Sequence, residues 1–437
     1  MHLPRYCRCV VALVVLRASA LLGQTPSGVV DARSCRVTSS AAQSLHTSDG
    51  RPAYVDAPVG YGDERTFTVT GAPAWEWYSK KSVMPPQPAD SASARTYVQL
   101  VLRDVQRFGF RVDRNAVATA VPDVFGERRV YRPALVPLRA RAPALIWVER
   151  EGESPNQSAS LWFAPTAGGH LVARRLWSGS QLYWDGVAAT YGAGADVAMF
   201  VVPYFKAGVG NGLLFVRLTN AGVSVHETPL DGLPDHATVA SMDKLGERWL
   251  VIYSASDAQS TVSNGSHLFS GSFHVESGLT NVKRIQWSGL EHASFPLLSR
   301  TPDTHELLLT WTLSVNASPL ADTLVAWTTR DLGQSWHQTN RIATPGRVSL
   351  LTTALVDSVP VYAALLSGRA DTTLAVFAYS SGRFQHVALP SLTAASAPQW
   401  IKLGTKAALL WGATRSDTQG GAAPVTQLSR FSARCSQ

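Results

Sequence analysis

The sequence predicts an all-β protein, a β-propeller built from six four-stranded blades, or from seven if residues 50–125 form another blade. Three observations predict this fold. Apolar, strand-like runs recur along the chain with a period of about 50 residues, which lies within the range of propeller blades. Each run has the same neighbours, which gives four strands per unit. The composition, 45% hydrophobic and 16% charged, indicates a packed globular body.

The apolar runs are candidates for strands that are covered on both faces, because such strands read as continuous apolar sequence. In a propeller the middle strands of a blade lie between neighbouring blades, and only the outermost strand meets water. The six runs occupy residues 144–148, 197–202, 249–253, 307–311, 361–366 and 407–411.

The neighbours of each run complete the unit. A turn-rich loop and a second apolar run follow it, and in units such as those containing residues 223–227 and 337–342 a more polar, alternating strand comes third. A short strand precedes the unit, as at residues 132–136 and 295–298. The last unit has no clear outer strand before the sequence ends. Residues 65–70 alternate, and we expect them to supply this strand and close the ring.

The first residues read as an export signal. Arg5 and Arg8 precede the short apolar run 10–16, and Ala18-Ser19-Ala20 is a small-x-small cleavage site, with a later site near Gly23 as the alternative. The sequence thus predicts a signal peptide over 1–23, an N-terminal extension with the ring-closing strand over 24–127, and a propeller over 128–437. We expect a periplasmic or secreted protein without a transmembrane segment.

Two cysteines, Cys35 and Cys435, remain after the predicted signal, one near each end. An exported protein meets an oxidising compartment, so these two form a candidate disulfide at the same seam as the ring-closing strand. The alternative is two free thiols. Between the signal and the first unit, residues 84–88 read as a loop, and residues 96–108 have a spacing that predicts an amphipathic helix.

One motif is specific. Thr329-Arg330-Asp331-Leu332-Gly333-Gln334-Ser335-Trp336 matches the pattern (Ser/Thr)-x-Asp-x-Gly-x-(Ser/Thr)-Trp at every defined position. It falls in the predicted hairpin between the third and fourth strands of a unit. There an Asp accepts backbone hydrogen bonds and a Gly permits a positive φ. The chain therefore resembles the sialidase and Asp-box (BNR repeat) family of β-propellers, in which the motif is structural and usually lies away from the catalytic face.

The resemblance extends to candidate site residues. Tyr131-Arg132-Pro133 is similar to the Tyr/Phe-Arg-Ile-Pro motif of sialidases with the Ile missing, which implies that Arg132 grips a substrate carboxylate; otherwise it is a strand-edge surface arginine. Arg300 is a candidate second ligand-binding arginine. The loop that carries the acid/base Asp in the family has no Asp here, and Glu153 is its substitute. Tyr379 is the candidate nucleophile.

Other chemistries are excluded by the sequence. It contains no metal-ligand spacing among its 11 His residues, no phosphate-binding loop and no dinucleotide fingerprint, so no cofactor or metal is predicted. The net charge of +8 is scattered, which disfavours nucleic acid and fits either an anionic ligand or an ordinary solvated surface. We expect a monomer that binds a glycan or an extracellular protein at its loop-rich face. The alternative is an active exo-α-sialidase that hydrolyses terminal acidic sugars.

Overall fold

The computed structural model describes the chain in segments that together carry 31 strands and, within the described residues, no helix. All of these strands lie in one unit, Arg33–Gln437. The described segments are residues 34–47, 65–69, 75–79, 108–112, 117–121, 130–138, 141–151, 158–165, 172–183, 190–191, 197–219, 222–230, 236–256, 266–285, 291–301, 305–315, 322–367, 372–389, 398–403, 406–416 and 422–436. The predicted signal peptide and its cleavage sites lie outside them.

The described strands form seven sheets, numbered I to VII here, in which every pairing is antiparallel except that of β3 with β7. Sheet I contains β3 (His46–Thr47), β4 (Arg65–Val69), β5 (Trp75–Ser79), β6 (Phe108–Val112) and β7 (Val117–Val121). Sheet II contains β8 (Val130–Leu138), β9 (Arg141–Glu151), β10 (Ser158–Pro165) and β11 (Arg174–Gly179). Sheet III contains β12 (Gln181–Leu182), β13 (Thr190–Tyr191), β14 (Val197–Lys206), β15 (Gly210–Thr219) and β16 (Gly222–Pro229).

The later sheets follow the same plan. Sheet IV contains β17 (His236–Leu245), β18 (Arg248–Ser256), β19 (Ser266–His274) and β20 (Gly278–Arg284). Sheet V contains β21 (Glu291–Arg300), β22 (Leu307–Val315), β23 (Thr323–Thr329) and β24 (His337–Ala343). Sheet VI contains β25 (Arg347–Val356), β26 (Val359–Ser367), β27 (Thr372–Ser380) and β28 (Arg383–Val387). Sheet VII contains β29 (Gln399–Leu403), β30 (Lys406–Ser416) and β31 (Ala422–Cys435), joined by β1 (Cys35–Ser39) and β2 (Gln43–Ser44).

The burial of the strands follows the predicted pattern. The middle strands, such as β14 and β26, are buried along almost their whole length, whereas the outer strands β16 and β24 are largely exposed. The described core consists of five clusters, and each lies between two consecutive sheets from II to VII. Burying one Leu or Phe side chain stabilises a fold by about 1.5–3 kcal/mol, so these contacts between sheets are a main source of stability.

Contacts between sheets follow a regular order. The inner strands β17, β21, β25 and β29 contact one another in sequence, and β17 also contacts β14 of sheet III. β29 contacts β4 of sheet I, β4 contacts β8 of sheet II, and β8 contacts β14. Sheet I therefore lies beside both sheet VII and sheet II.

Sheet I occupies the region for which the sequence analysis predicted a loop and a helix. Residues 84–88 and most of the predicted helix 96–108 lie outside the described residues, but Phe108 begins β6. The strand predicted at residues 65–70 is present as β4. Its predicted pairing with the last unit was wrong, because β4 pairs with β5 in sheet I.

The N-terminal strand that pairs with the last sheet is β1. It runs antiparallel to β31, with Cys35 opposite Cys435 and Ser39 opposite Phe431. The predicted disulfide between Cys35 and Cys435 is confirmed. Cys35 and Val37 point inward while Arg36 is exposed, so β1 has the alternation of a half-buried strand. The bridge joins β1 to β31 at the two residues that the pairing places opposite each other.

Two further findings concern membranes and metals. No helix within the described residues is long and apolar enough to cross a membrane. In the same part of the chain, no group of three or more His, Cys, Asp or Glu side chains is arranged to hold a metal ion.

Candidate functional site

Each four-stranded sheet has two edges that differ in their connections. At the link edge the second strand leads into the third. At the hairpin edge the first strand turns into the second and the third into the fourth. In sheet V, for example, Arg300 pairs with Leu307 and Leu307 pairs with Thr329, so all three lie at the hairpin edge. The candidate site residues divide between these two edges.

The Asp-box motif forms the hairpin-edge loop between β23 and β24. The Thr329 hydroxyl donates to Asp331 Oδ1 at 2.8 Å and accepts the Gly333 amide at 2.9 Å. Asp331 Oδ1 also accepts the Ser335 amide at 2.9 Å, and Asp331 Oδ2 accepts the Ser335 hydroxyl. Trp336 packs against the core between sheets IV and V. Thr329, Asp331, Gly333, Ser335 and Trp336 thus form one local network.

The same hydrogen bonds determine the charge state of Asp331. Burial alone would raise the pKa of its carboxyl. The bonds donated by the hydroxyl and amide of Ser335, the hydroxyl of Thr329 and the amide of Gln334 outweigh burial and hold the pKa below its ordinary value of 3.8. Asp331 is therefore an ionised acceptor at neutral pH and has no free proton to donate to a substrate.

Arg300, the second candidate ligand-binding arginine, ends β21 at the hairpin edge and forms an ion pair. Its Nε donates to Asp243 Oδ1 on β17 at 3.1 Å. Burial raises the pKa of Asp243, and the positive charge of Arg300 and the Lys244 amide lower it in part. The Leu298 amide donates to Ser241 Oγ at 3.0 Å, two residues earlier on both strands, so β17 and β21 run side by side in the same direction.

Tyr379, the candidate nucleophile, lies near the end of β27, also at the hairpin edge. Its side chain is buried, and its hydroxyl lies 2.6 Å from Thr339 Oγ1. Burial raises the pKa of the phenol to about 12, and the nearby charge of Glu306 adds to this effect although the bond to Thr339 opposes it. The ring makes an edge-to-face contact with Phe384, and the two ring centroids are 5.4 Å apart. These contacts are those of a core residue.

Arg132 lies toward the link edge of sheet II. Arg132 is the third residue of β8, and the pairing of β8 with β9 is irregular between Tyr131 and Ala134, which is where Arg132 stands. Such a bulge turns side chains away from strict alternation. Glu153 lies outside the described residues, between Glu151 and Ser158, which pair with each other. The backbone thus assigns Arg132 to the edge of sheet II at which Glu151 pairs with Ser158.

The sequence analysis missed Asp243 and its ion pair with Arg300. These two residues are 57 positions apart and belong to different sheets. No pattern within either strand indicates the contact, because it depends on how β17 and β21 lie against each other. The burial of Asp243, which only the structure shows, indicates a partner, since buried carboxylates are almost always paired.

Comparisons with known proteins give distant similarity only. No family model and no curated protein matches the chain. The solved Trypanosoma rangeli sialidase in complex with sialic acid is similar with a TM-score of 0.41 and 10% identity, over 73% of this chain and 56% of that one. A puromycin hydrolase is similar with a TM-score of 0.47 and 15% identity, over 88% of this chain and 55% of that one. A subtype N11 neuraminidase-like protein of A/flat-faced bat/Peru is similar with a TM-score of 0.38 and 9% identity, over 69% of this chain and 87% of that one. The chain spans little more than half the length of the first two.

Proposed function

We propose that this chain is an exported, sialidase-like β-propeller that binds a glycan or a protein ligand at its link edges and does not catalyse a reaction. Export is supported by the signal-like N-terminus and by the disulfide, since such bridges persist in oxidising compartments. The Asp-box loop supports the sialidase-like kinship, because its Thr, Asp, Gly and Ser residues form the hydrogen bonds that the motif predicts and Trp336 packs against the core.

We further propose that the sheets close into a ring of seven blades, the larger of the two numbers that the sequence left open. The support is the cyclic order of contacts, in which β4 of sheet I contacts both β29 and β8. The pairing of β1 with β31 and the disulfide would then hold the ends of the ring. An experimental density map tests this. A sheet I that stands outside a six-sheet ring would contradict it.

One observation carries the non-catalytic proposal. Tyr379 and Arg300, which an active sialidase-like site would need free, are engaged at the hairpin edge by Thr339 and Asp243. A phenol with its pKa raised to about 12 is a poor nucleophile at neutral pH. Arg132 belongs to the opposite, link edge of its sheet, so these residues do not form one constellation.

A glycan array tests the binding proposal with the mature protein. We expect binding to acidic glycans that falls at least about tenfold in Arg132→Ala, because an arginine grips a carboxylate through two hydrogen bonds. Arg36→Ala is the matched control, since Arg36 is exposed on β1 and belongs to no candidate site. No binding across glycan and extracellular-protein panels, or equal binding by both variants, would contradict the proposal.

The alternative is an active exo-α-sialidase. It is favoured by the position of Arg132 toward the edge of sheet II at which Glu151 pairs with Ser158, because Glu153 lies between these two residues in the sequence. In that case Arg132 would hold the carboxylate of an acidic sugar and Glu153 would act as acid/base. Release of a fluorophore from a sialoside by the wild type, lost in Glu153→Gln, would establish catalysis and overturn the non-catalytic proposal.

A further inference from the structure

A pocket opens at the hairpin edge of sheet IV, away from the link edges discussed above. It lies between strands β18 to β20 and the Asp-box loop of sheet V, and its volume is about 470 Å³. Pockets of this size fall within the usual range of small-molecule sites. The described lining residues are Arg248, Ser272, Asn281, Lys283, Leu332 and Gln334.

The Asp-box loop forms one wall of this pocket through direct packing. A Cβ added to Gly333 would stand 3.1 Å from Leu250 Cδ1, so the loop lies tightly against β18. Lys283 Nζ on β20 donates to the Gln334 carbonyl at 2.6 Å, which connects the outer strand of sheet IV to the same loop. The wall is therefore fixed by the motif, and the pocket exists because the motif holds Leu332 and Gln334 in place.

The pocket is positively charged. Arg248 and Lys283 line it, and none of the described lining residues is acidic. Arg248 is exposed. Glu247, its neighbour, is 94% exposed and pairs with Lys244 at 3.6 Å. Arginine offers a planar pair of donors and lysine a point charge, which together suit an oxyanion.

One lining residue of the pocket, Ser272, carries an unsatisfied polar group. Ser272 is 4% exposed, and its hydroxyl has no hydrogen-bond partner among the described residues. A buried hydroxyl without a partner is costly and calls for an explanation. The pairing of β19 with β20 shifts between Ser270 and Ser272, and Asn281 on the opposite strand has a φ of 55°. This bulge brings a hydroxyl and an amide to the same pocket as the two cations.

We infer that this pocket binds an acidic, monosaccharide-sized ligand. Arg248 and Lys283 would hold its carboxylate or sulfate group, while the Ser272 hydroxyl and the Asn281 amide would bind its hydroxyls. The lining supports this division, because it combines two cations with neutral polar groups and the apolar side chain of Leu332. The inference does not depend on the function proposed for the link edges, since the two sites share no residue.

Isothermal titration of the mature protein with glucuronate, glucose and sodium sulfate tests the inference. We expect glucuronate to bind more tightly than sulfate, and glucose to bind more weakly than either, because only glucuronate has both the anion and the hydroxyls. Arg248→Gln should lower the affinity for glucuronate at least about tenfold, which corresponds to the loss of a charge-assisted hydrogen bond. Arg383→Gln should leave glucuronate binding unchanged, because Arg383 is an exposed arginine at the start of β28 in sheet VI.

Ser272→Ala distinguishes binding of the sugar hydroxyls from binding of the anionic group. It removes a hydroxyl that has no partner among the described residues, so we expect the variant to fold normally, to bind glucuronate several-fold more weakly and to bind sulfate as the wild type does. Equal binding of glucuronate by the wild type and Arg248→Gln would overturn the inference. So would the absence of glucuronate binding at millimolar concentration, or sulfate binding that glucuronate does not exceed.

Discussion

Two hairpins at the same edge of neighbouring sheets join third to fourth strands in different ways. In sheet V the Asp-box loop connects β23 to β24, and side chains supply its hydrogen bonds. In sheet VI a turn of two residues, Ser381 and Gly382, connects β27 to β28. Both turn residues have positive φ, 52° and 73°, the conformation whose twist matches that of paired strands.

The comparison shows that the motif is one solution to a common problem. A two-residue turn with positive φ lets its strands pair directly, as Ser380 pairs with Arg383, whereas in the longer Asp-box loop Thr329, Asp331 and Ser335 accept and donate hydrogen bonds. Both hairpins return an aromatic side chain to the core, Trp336 in sheet V and Phe384 in sheet VI. The aromatic contact is therefore shared, and the polar network belongs to one hairpin alone.

The largest effect should come from the shared aromatic position. Phe384 is buried and contacts Tyr362 and Tyr379 edge-to-face, with ring centroids 5.9 and 5.4 Å apart. We expect Phe384→Ala to lower the free energy of unfolding by about 3–5 kcal/mol, as is usual for buried aromatic side chains. Trp336 is half-buried, so Trp336→Ala should cost less, about 2–3 kcal/mol on the same basis. Urea denaturation measures both, and a larger loss for Trp336→Ala would contradict the comparison.

These residues also show how far the sequence could predict the structure. Continuous apolar runs, the Asp-box motif and the cysteine pair predicted the strands, the hairpin loop and the disulfide, because each signal lies within one strand, one loop or one chemical pair. The engagement of Tyr379 by Thr339 and of Arg300 by Asp243 joins separate sheets. Such contacts depend on the register between sheets, which no local pattern encodes. The choice of β1 rather than β4 as partner of β31 is of the same kind.

The second effect concerns the polar network, which only the Asp-box hairpin has. Asp331→Ala removes the acceptor of the Ser335 amide and of two hydroxyls. Leaving such donors without a partner costs about 1–3 kcal/mol, and we expect a loss near the middle of that range. Arg383→Ala, just after the turn of sheet VI, is the control and should change stability by less than about 0.5 kcal/mol. If the two variants unfold at the same urea concentration, the network does not stabilise the hairpin.

The third effect compares the glycines of the two turns. Gly333 and Gly382 have φ values of 75° and 73°, where an L-residue is strained by about 1–2 kcal/mol. A Cβ at Gly333 would also stand 3.1 Å from Leu250 and from Trp336, whereas the turn of sheet VI is a surface turn of two residues. We therefore expect Gly333→Ala to destabilise more than Gly382→Ala. Thermal unfolding of the two variants measures the difference. The reverse order would show that Leu250 and Trp336 can move to accommodate the added Cβ at little cost.

The smallest effect is a dependence on pH that should exist in only one of the two hairpins. The pKa of Asp331 in the folded state lies below its ordinary value of 3.8, so the carboxylate stabilises the fold above that value and the contribution disappears as the pH falls through the folded pKa. Solvent screening keeps it below about 1 kcal/mol, because the carboxyl is partly exposed. The turn of sheet VI has no carboxylate, since it consists of Ser381 and Gly382.

Asp331→Asn isolates this contribution, because the amide keeps an acceptor for the Ser335 backbone and does not titrate. Urea denaturation of wild type and variant at about pH 6 and about pH 3 gives the difference, and other carboxylates affect both proteins alike. We expect the wild type to lose more stability than the variant on acidification. An equal loss in both would mean that the hydrogen bonds to Asp331 do not favour its charged form, and the polar network would then differ from the turn of sheet VI in geometry alone.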